Sequence, residues 1–335
     1  MTPDVRPGLN SRRLVRLMSA AVDRCGLDLS GRTVLTEAAN GAYVVTPVLA
    51  AMAGADVYAL AAETAYASAD EIEQGTIGLA KMAEVAERIH LIYSKDASYV
   101  GAADIITNSG QVRPIDAKMV AGMKPSAVVS LMYESWEFRP SDVDLEACRD
   151  RGITVAGTNE RHPDVDVFSF LGPMAMKQIQ DAGVAVRGSR ILVLCDNHFA
   201  PFILKDLKAG GADVTLASRM TAEALIPLCD VVLLALLPGE QPVLTATDSR
   251  MLAAHAPGVV LVQYWGDADR AALAAAGVAV WPEEAPGPGH MGILPSALGP
   301  DPIVRLQAGG LKVGELLARG VGNISPGDLT RIQVL

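Results

Sequence analysis

The sequence of 335 residues has few aromatic side chains, few cysteines and no excess of positive charge. Aromatic residues make up 4% of the chain, and the formal net charge is −10 at pH 7. Because such a protein has no basic surface to neutralise a phosphate backbone, we expect no nucleic-acid partner. No apolar run approaches the ~18–20 residues of a membrane span, so we expect no membrane association and a soluble, cytoplasmic protein.

Several motifs that carry chemistry are also missing. The four cysteines (Cys25, Cys148, Cys195 and Cys229) are scattered and form no C-x-x-C pair. Their spacing predicts reduced thiols in place of a disulfide framework or a metal site. The basic residues near the start have no apolar stretch behind them, so we expect no signal peptide. The chain contains no P-loop and no G-x-S-x-G nucleophile turn, and no histidine–carboxylate spacing typical of zinc.

What the sequence does contain is a regular alternation of short apolar runs and helix-length segments. Half of the residues are hydrophobic, which suits buried parallel strands covered by helices. Six apolar runs lie in the first half of the chain and five in the second, and helical segments separate them. Parallel neighbours require crossover connections, so the alternation predicts an α/β fold. We expect two tandem doubly wound Rossmann-like domains with an interdomain cleft.

The domain boundaries follow from the breaks in this pattern. We place the N-terminal domain at residues 1–158, and a hinge and linker helix at 159–186, because 158–166 is polar and contains a proline. The pattern restarts in a second, cofactor-type domain at 187–298. Residues 299–335 are predicted to form a C-terminal helix and tail that pack back across the domains.

Polar residues cluster where the predicted strands end. In the first domain they occupy 36–41, 108–113 and 133–137, and in the second 196–198, 218–219 and 264–267. Ligands of doubly wound sheets bind beyond the carboxyl ends of the strands. We therefore expect a small-molecule substrate in a cleft between these two polar edges.

Several local patterns, taken in order, resemble the D-2-hydroxyacid dehydrogenase superfamily over most of the chain. Residues 142–158 (DVDLEACRDRGITVAGT) are similar to the end of that family's first domain, and 188–194 to the first strand of its cofactor domain. Residues 267–273 and 280–284 resemble later segments of the cofactor domain. Pro288-Gly289-His290-Met291-Gly292 is similar to the family's Pro-His-x-x-Gly element. The resemblance implies two Rossmann-like domains, a nicotinamide cofactor, and His290 as the catalytic histidine.

The chain departs from that family at two cofactor-domain positions. The family's glycine-rich turn lets the backbone approach a diphosphate, but residues 195–201 (CDNHFAP) contain no glycine. Asn197 and His198 occupy this turn, where His198 either replaces a lost function or fills space. Trp265 stands before Gly266, where the family has a substrate-binding arginine.

The end of the second strand in this domain bears on cofactor choice. Ser218 and Arg219 follow it, where an acidic residue would select a ribose hydroxyl. An arginine there favours a 2′-phosphate, and therefore NADP over NAD; the alternative is a solvated arginine at a helix start. With Asn197, His198 and Trp265, these two residues are the candidate cofactor contacts.

The candidate catalytic residues are His290, Glu284, Arg113 and Glu134. His290 can exchange a proton with a carbonyl or hydroxyl, and Glu284 or its neighbour can orient the imidazole; otherwise His290 is a structural turn residue. Arg113 can clamp a carboxylate or phosphate, or be a surface arginine beside Pro114. Glu134 lies in a strand-end group where an acid/base residue and an aromatic wall are plausible, although the tryptophan there is equally a packing residue.

Together these features favour an NADP-linked oxidoreductase that acts on a carbonyl or hydroxyl of a small anionic metabolite. The alternatives are a dehydrogenase scaffold reused as a biosynthetic transferase or lyase, and a metabolite-binding protein without catalysis. A two-domain glycosyltransferase is a further alternative, by fold analogy alone. We expect a homodimer, the commonest assembly of such proteins.

Overall fold

The structure is a computed structural model that describes residues 6–65, 67–225 and 228–335. It divides into two compact units. The first contains the chain up to Val167 together with Gly299–Leu335, and the second contains Phe168–Leu298. Residues 159–166 of the predicted hinge thus belong to the first unit. Both units are α/β with mainly parallel sheets, which confirms the predicted pair of Rossmann-like folds.

The strands are β1 Thr33–Glu37, β2 Asp56–Leu60, β3 Ile89–Ile92, β4 Ile105–Thr107, β5 Val128–Ser130, β6 Thr154–Thr158, β7 Arg190–Leu194, β8 Asp213–Ala217, β9 Val231–Ala235, β10 Val260–Trp265, β11 Ala279–Trp281 and β12 Ile332–Val334. The helices are α1 Ser11–Cys25, α2 Val45–Met52, α3 Ala69–Met82, α4 Ala97–Ala102, α5 Ala117–Gly122, α6 Leu145–Arg151, α7 Leu171–Asp181, α8 Ala200–Ala209, α9 Ala246–His255, α10 Arg270–Ala275, α11 Asp301–Ala318 and α12 Pro326–Leu329. None of the helices in the described part of the chain is long and apolar enough to cross a membrane.

The first sheet has the strand order β12-β6-β5-β4-β1-β2-β3. Strands β1 to β6 are parallel, and β12 pairs with β6 in the antiparallel sense. The chain runs outward from β1 through β2 to β3, and then outward from β4 through β5 to β6. The order therefore reverses between β1 and β4, where doubly wound sheets bind their ligands.

The second sheet has the strand order β11-β10-β9-β7-β8, and all of its pairs are parallel. Its order reverses between β7 and β9, which is the other common doubly wound arrangement. The turn after β7, where the sequence lacks glycines, thus lies at the reversal point of this sheet.

Helix α11 is almost entirely buried and completes the core of the first unit. Glycines let it lie close to the sheet. A Cβ atom at Gly310 would come within 2.4 Å of the Met132 Sδ, and one at Gly314 within 2.6 Å of the Ile105 Cγ2. Ser130 Oγ donates a hydrogen bond to the Gly310 carbonyl. The segment predicted as a C-terminal helix therefore packs as an internal helix of the first unit.

Most predicted elements appear within a few residues of their expected positions, with some differences. The periodicity of the sequence predicts a helix over residues 70–88, but α3 ends at Met82, because Glu84 adopts a left-handed conformation with φ of 60°. The sequence also predicts that the linker helix spans residues 168–182; the structure has a 3₁₀ turn at Phe168–Phe170, followed by α7. Helices α4 and α12 and strand β12 were not predicted from the sequence.

Candidate functional site

The carboxyl edge of the first sheet brings together acidic side chains from different strands. Glu37, the last residue of β1, is buried, and its Oε2 accepts a hydrogen bond from the Gln111 N–H at 3.3 Å. The loop after β4 makes room for it with a glycine: a Cβ atom at Gly110 would lie 1.4 Å from the Glu37 Oε2. Burial raises the pKa of Glu37, although Gln111 and Arg113 act in the opposite direction.

Hydroxyl groups line the same reversal point. Thr36 Oγ1 lies 2.8 Å from Thr107 Oγ1, and Thr107 Oγ1 lies 2.6 Å from Ser109 Oγ. All three side chains are buried at the ends of β1 and β4. Next to them the Asn108 Oδ1 accepts from the Met132 N–H at 2.8 Å, and the Asn108 Nδ2 has no hydrogen-bond partner among the described residues. The two strand ends are thus linked by polar contacts.

Glu134, predicted as a catalytic residue, follows β5 and is 1% exposed. Its Oε2 accepts from the Trp136 Nε1 at 2.6 Å. Its Oε1 accepts from the Glu160 N–H at 3.2 Å and from the Gln333 Nε2 at 3.0 Å, and Arg161 is 3.5 Å away. Both oxygens of this carboxylate are therefore occupied by protein donors.

Two further glutamates lie beside Glu134. Glu137 is half-buried; burial first, and then the charge of Glu134, raise its pKa to about 7, against the lowering effects of a backbone hydrogen bond and Arg139. Glu160, just after β6, is 8% exposed. Burial and the charges of Glu137 and Glu134 raise the pKa of Glu160 well above its ordinary value. A site with carboxyl groups of this kind holds protons near neutral pH.

Tyr43 belongs to the same group of residues. It lies in the 3₁₀ turn Gly41–Val44 before α2. Burial raises its pKa to about 12, and the charges of Glu37, Glu160 and Glu137 act in the same direction. Glu37, Tyr43, Glu134, Glu137 and Glu160 are called the first-unit acidic site below.

Arg113, the predicted anion clamp, lies at the border of this site. Its Nη1 donates to the Asp142 Oδ2 at 3.2 Å, and the Tyr133 hydroxyl donates to the same oxygen at 2.6 Å. The side chain of Arg113 remains 35% exposed. Its charge lowers the pKa of Glu37 and of Tyr43. Arg113 is thus anchored on one side and accessible on the other.

A groove of about 430 Å³ runs beside Arg113. Its walls include Pro114 and Phe138, which directly follow Arg113 and Glu137 in the chain, together with Pro140, Val143 and Leu145. The groove is mainly apolar and offers space for the non-polar part of a small molecule.

In the second unit, the turn after β7 makes its polar contacts internally. The Asp196 Oδ1 accepts from the Leu237 N–H at 3.0 Å and from the Asn197 Nδ2 at 3.2 Å. Asn197 also donates to the Ala235 carbonyl at 2.8 Å and accepts from the Phe199 N–H at 3.0 Å. A carboxylate is therefore fixed between the ends of β7 and β9, where a diphosphate would approach a glycine-rich turn.

The remaining predicted cofactor contacts of the second unit are dispersed. Trp265 is buried, stacks on Phe199 at a centroid distance of 4.9 Å, and donates from Nε1 to the Gly289 carbonyl at 3.1 Å. His198, Ser218 and Arg219 are exposed. Trp265 thus packs against the helix start and ties down the loop that carries His290.

His290 lies in an exposed loop of the second unit. Its backbone N–H donates to the Gly287 carbonyl at 2.9 Å. Among the residues that the structure describes, neither Glu283 nor Glu284 forms a hydrogen bond or ion pair with its imidazole. Glu284 is exposed. The predicted histidine–carboxylate pair is therefore not formed.

Of the predicted catalytic residues, Arg113 and Glu134 lie in the same part of the first unit, and His290 and Glu284 lie in a loop of the second. Sequence reasoning overlooked Glu37, Tyr43, Glu160 and Gln333 as candidates. Glu37 and Glu137 lie in the polar strand ends 36–41 and 133–137 that the sequence analysis placed at the ligand-binding edge, although neither was among the candidate catalytic residues. No described group of three or more His, Cys, Asp or Glu residues is arranged to hold a metal ion.

No protein-family model matches the sequence, and no curated protein sequence matches it. Solved structures do match. One of the subunits of dipicolinate synthase from Bacillus halodurans superposes with a TM-score of 0.57 at 13% identity, covering 89% of this chain and 100% of that one. The corresponding dipicolinate synthase chain from Bacillus subtilis gives the same values. Transhydrogenase from Sinorhizobium meliloti gives a TM-score of 0.50 at 15% identity, covering 90% and 100%.

These similarities establish the fold. The chain shares with these dipicolinate synthase chains a fold of two Rossmann-like units, the architecture that the sequence predicted. At identities of 13% and 15% the similarity is one of architecture, so the chemistry has to be argued from the residues of this chain.

Proposed function

We propose that this chain is an enzyme that acts on a small polar metabolite by proton transfer at the first-unit acidic site. The dehydrogenase-like scaffold would then serve a transferase- or lyase-type reaction in a biosynthetic pathway. The observation that carries the proposal is the gathering of Glu37, Glu137, Glu160 and Tyr43 at the carboxyl edge of the first sheet. This edge contains the reversal point between β1 and β4, the usual ligand position in such sheets.

The residues suit acid–base work. A general acid or base is most effective when its pKa lies near the operating pH, and Glu137 has a pKa of about 7. Tyr43 stays protonated at neutral pH and can donate a hydrogen bond. Arg113 keeps part of its guanidinium accessible and can contact an anionic group of the substrate.

The experiment is a thermal-shift screen of small polar metabolites, repeated with Glu137→Gln and with Glu87→Gln as a matched control. Glu87 is an exposed residue of the first unit, far along the chain from the acidic site. A compound that binds the folded state raises the melting temperature. We expect such compounds to stabilise the wild type and the Glu87 variant, and to lose most of their effect in the Glu137 variant. Compounds that act equally on all three proteins would refute the proposed site.

An NADP-linked oxidoreductase is the second candidate, supported by the fold shared with dehydrogenase-like proteins. His290 would be its acid/base group with Glu284 nearby, and Asn197, His198, Ser218, Arg219 and Trp265 would approach the cofactor. The exposure of His290 and Arg219 leaves both accessible to a ligand. Stabilisation by NADPH that Arg219→Ala reduces, and a carbonyl reduction that His290→Ala abolishes, would favour this candidate. A homodimer in the cytoplasm is proposed in either case.

A further inference from the structure

The turn after β7 is the place where a dinucleotide-binding Rossmann domain holds the diphosphate of its cofactor. Such a turn carries three glycines, spaced G-x-G-x-x-G, for the tight turn, for close approach of the backbone to the diphosphate, and for packing of the helix. In this chain Cys195, Asn197 and Ala200 have that spacing. None of the three has a positive φ, so this turn has a backbone that does not require glycine.

Two side chains of the turn bind main-chain donors beside it. The Asn197 Oδ1 accepts from the Phe199 N–H at 3.0 Å, immediately before α8. The Asp196 Oδ1 accepts from the Leu237 N–H at 3.0 Å, shortly after β9. The N–H groups at the start of a helix are the usual donors to a bound phosphate. Here oxygens of the chain itself take the position of the phosphate oxygens.

Asp196 also places a negative charge at this turn. The residue is exposed, and among the described residues its carboxylate forms no ion pair. The Asn197 Nδ2 holds the carboxylate by donating to its Oδ1 at 3.2 Å. A diphosphate is an anion as well, so it would meet a like charge and find its donors already bonded.

Aromatic packing holds the turn in this form. Phe199 is 4% exposed, and its ring stacks on Trp265 at a centroid distance of 4.9 Å. The same ring meets Phe168 edge-on at 5.5 Å and Tyr264 at 6.5 Å. A shift of the turn that makes room for a diphosphate would pull Phe199 out of these contacts, which makes such a shift unfavourable.

We infer that Asp196 and Asn197 are an internal replacement for the diphosphate, and that the second unit therefore binds no dinucleotide at this turn. The inference goes beyond the proposed function, because it concerns the second unit and holds whatever the first-unit acidic site binds. It counts against the second candidate function. The second sheet is then a scaffold that folds without a nucleotide.

The test measures binding of NADPH, NADH and inorganic pyrophosphate to the whole chain by calorimetry and cofactor fluorescence. We expect the wild type to show no dissociation constant below about 1 mM. Asp196→Gly combined with Asn197→Gly removes the charge and releases the Phe199 and Leu237 N–H groups. This double variant should bind NADPH or pyrophosphate about tenfold more tightly, or better.

Asp213→Asn is the matched control. It also removes one negative charge from the second unit, but Asp213 is exposed at the start of β8, at the opposite edge of the same parallel sheet. We expect this variant to bind no more tightly than the wild type. An equal gain in affinity from the control and the double variant would mean that net charge alone decides binding, and would overturn the inference.

Hydrogen exchange supplies a readout without any ligand. In the wild type the Phe199 and Leu237 amides should exchange slowly, because side-chain oxygens hold them. Asp196→Ala should accelerate exchange of the Leu237 amide about tenfold or more, since its acceptor is gone. Fast exchange of both amides in the wild type would show that the turn leaves its donors free, against the inference.

Micromolar binding of NADPH or NADH to the wild type, with slower exchange of the amides in 195–200, would also overturn the inference. So would a double variant that stays folded by circular dichroism and gains no affinity, because the exclusion would then have another cause. If the double variant does not fold, Asp196→Asn decides, since it removes the charge and keeps an acceptor for the Leu237 N–H. An unchanged affinity for NADPH in that variant would refute the role of the carboxylate.

Discussion

The carboxyl edges of the two sheets have a similar strand architecture, but their polar side chains are bonded differently. In the first unit, Glu37 is a buried carboxyl group at the reversal point; it extends over a glycine, Gly110, and accepts a hydrogen bond from the Gln111 N–H. In the second unit, the polar side chains of the turn after β7 form hydrogen bonds with the nearby backbone. Asp196 accepts from the Leu237 N–H, and Asn197 is bonded to Phe199 and Ala235. Aromatic stacking of Phe199 on Trp265 fills the adjoining space.

This difference shows that the reversal point of a Rossmann-like sheet marks where a ligand can bind but does not determine its function. Ligand binding needs donors or acceptors that the fold itself leaves open, and a turn whose polar groups bond to one another has few left. We expect ligands and pH to affect the carboxyl edge of the first sheet. We expect the carboxyl edge of the second sheet to be affected mainly by changes in packing. Four predictions test that contrast, in order of decreasing effect.

The largest effect should come from Gly292→Ala in the second unit. A Cβ atom there would lie 1.9 Å from the Gln263 carbonyl oxygen and 2.7 Å from the Gln178 Nε2. Because the Gln263 carbonyl oxygen belongs to the backbone of β10, this strand must shift to remove the clash. The free energy of unfolding should therefore fall by about 2–4 kcal/mol. Chemical denaturation measures this. Gly239→Ala, which meets only ordinary contacts, should change stability by less than about 0.5 kcal/mol.

The second prediction concerns Glu137→Gln and pH. The folded-state pKa of Glu137 is about 7 and its ordinary value is 4.5, so between these values the folded state holds a proton that the unfolded state has released. Stability should therefore decline as the pH rises from about 4.5 to about 7, and level off above it. Gln removes this slope and should stabilise the protein at pH 8 by on the order of 1–3 kcal/mol. An unchanged pH profile of the melting temperature would contradict the assignment.

The third prediction concerns Gln333 on β12. Its Oε1 accepts from the Ser135 N–H at 2.8 Å, and its Nε2 donates to Glu134 at 3.0 Å. Gln333→Ala should cost about 1–2 kcal/mol of unfolding free energy, because a buried carboxylate and a backbone donor lose partners. Gln74→Ala, an exposed position on α3, is the control and should be near neutral. Equal effects of the two substitutions would mean that Gln333 does not hold this loop.

The smallest effect is expected for Asp196→Asn. The amide keeps an oxygen for the Leu237 N–H, so stability should change by less than about 1 kcal/mol. If the carboxylate repels a diphosphate, NADPH should raise the melting temperature more in the variant than in the wild type. A large NADPH shift in the wild type would instead show that the turn accepts the cofactor, and would favour the second candidate function.

The sequence predicted the fold well because strand and helix periodicity are local properties. The sequence predicts a strand over residues 213–217 and a helix over residues 11–25, and β8 and α1 have these limits. Strand β12 was not predicted, since three residues carry no periodic pattern and its pairing partner β6 lies far away in the sequence. Helix α4 was not predicted either.

The site was predicted less completely. Arg113 and Glu134 were predicted as catalytic residues because polar residues that follow buried strands stand out in a sequence. Both lie at the carboxyl edge of the first sheet. Glu160 was taken as part of a polar hinge, since nothing in the sequence shows that this residue is buried. The contact between Gln333 and Glu134 spans 199 positions, so only the folded chain reveals it. The catalytic role predicted for His290 came from the resemblance to a family, and the spacing of nearby residues does not test it.

The place of α11 in the first unit also sets an order of events during synthesis. The ribosome completes residues 168–298 of the second unit before it reaches α11 at Asp301–Ala318. Until then the nascent first unit lacks the helix that covers Ile105 and Met132, and its apolar face stays open. Although its chain starts first, the first unit must therefore finish folding last. An apolar face that stays open until α11 is added favours aggregation of the unfinished chain.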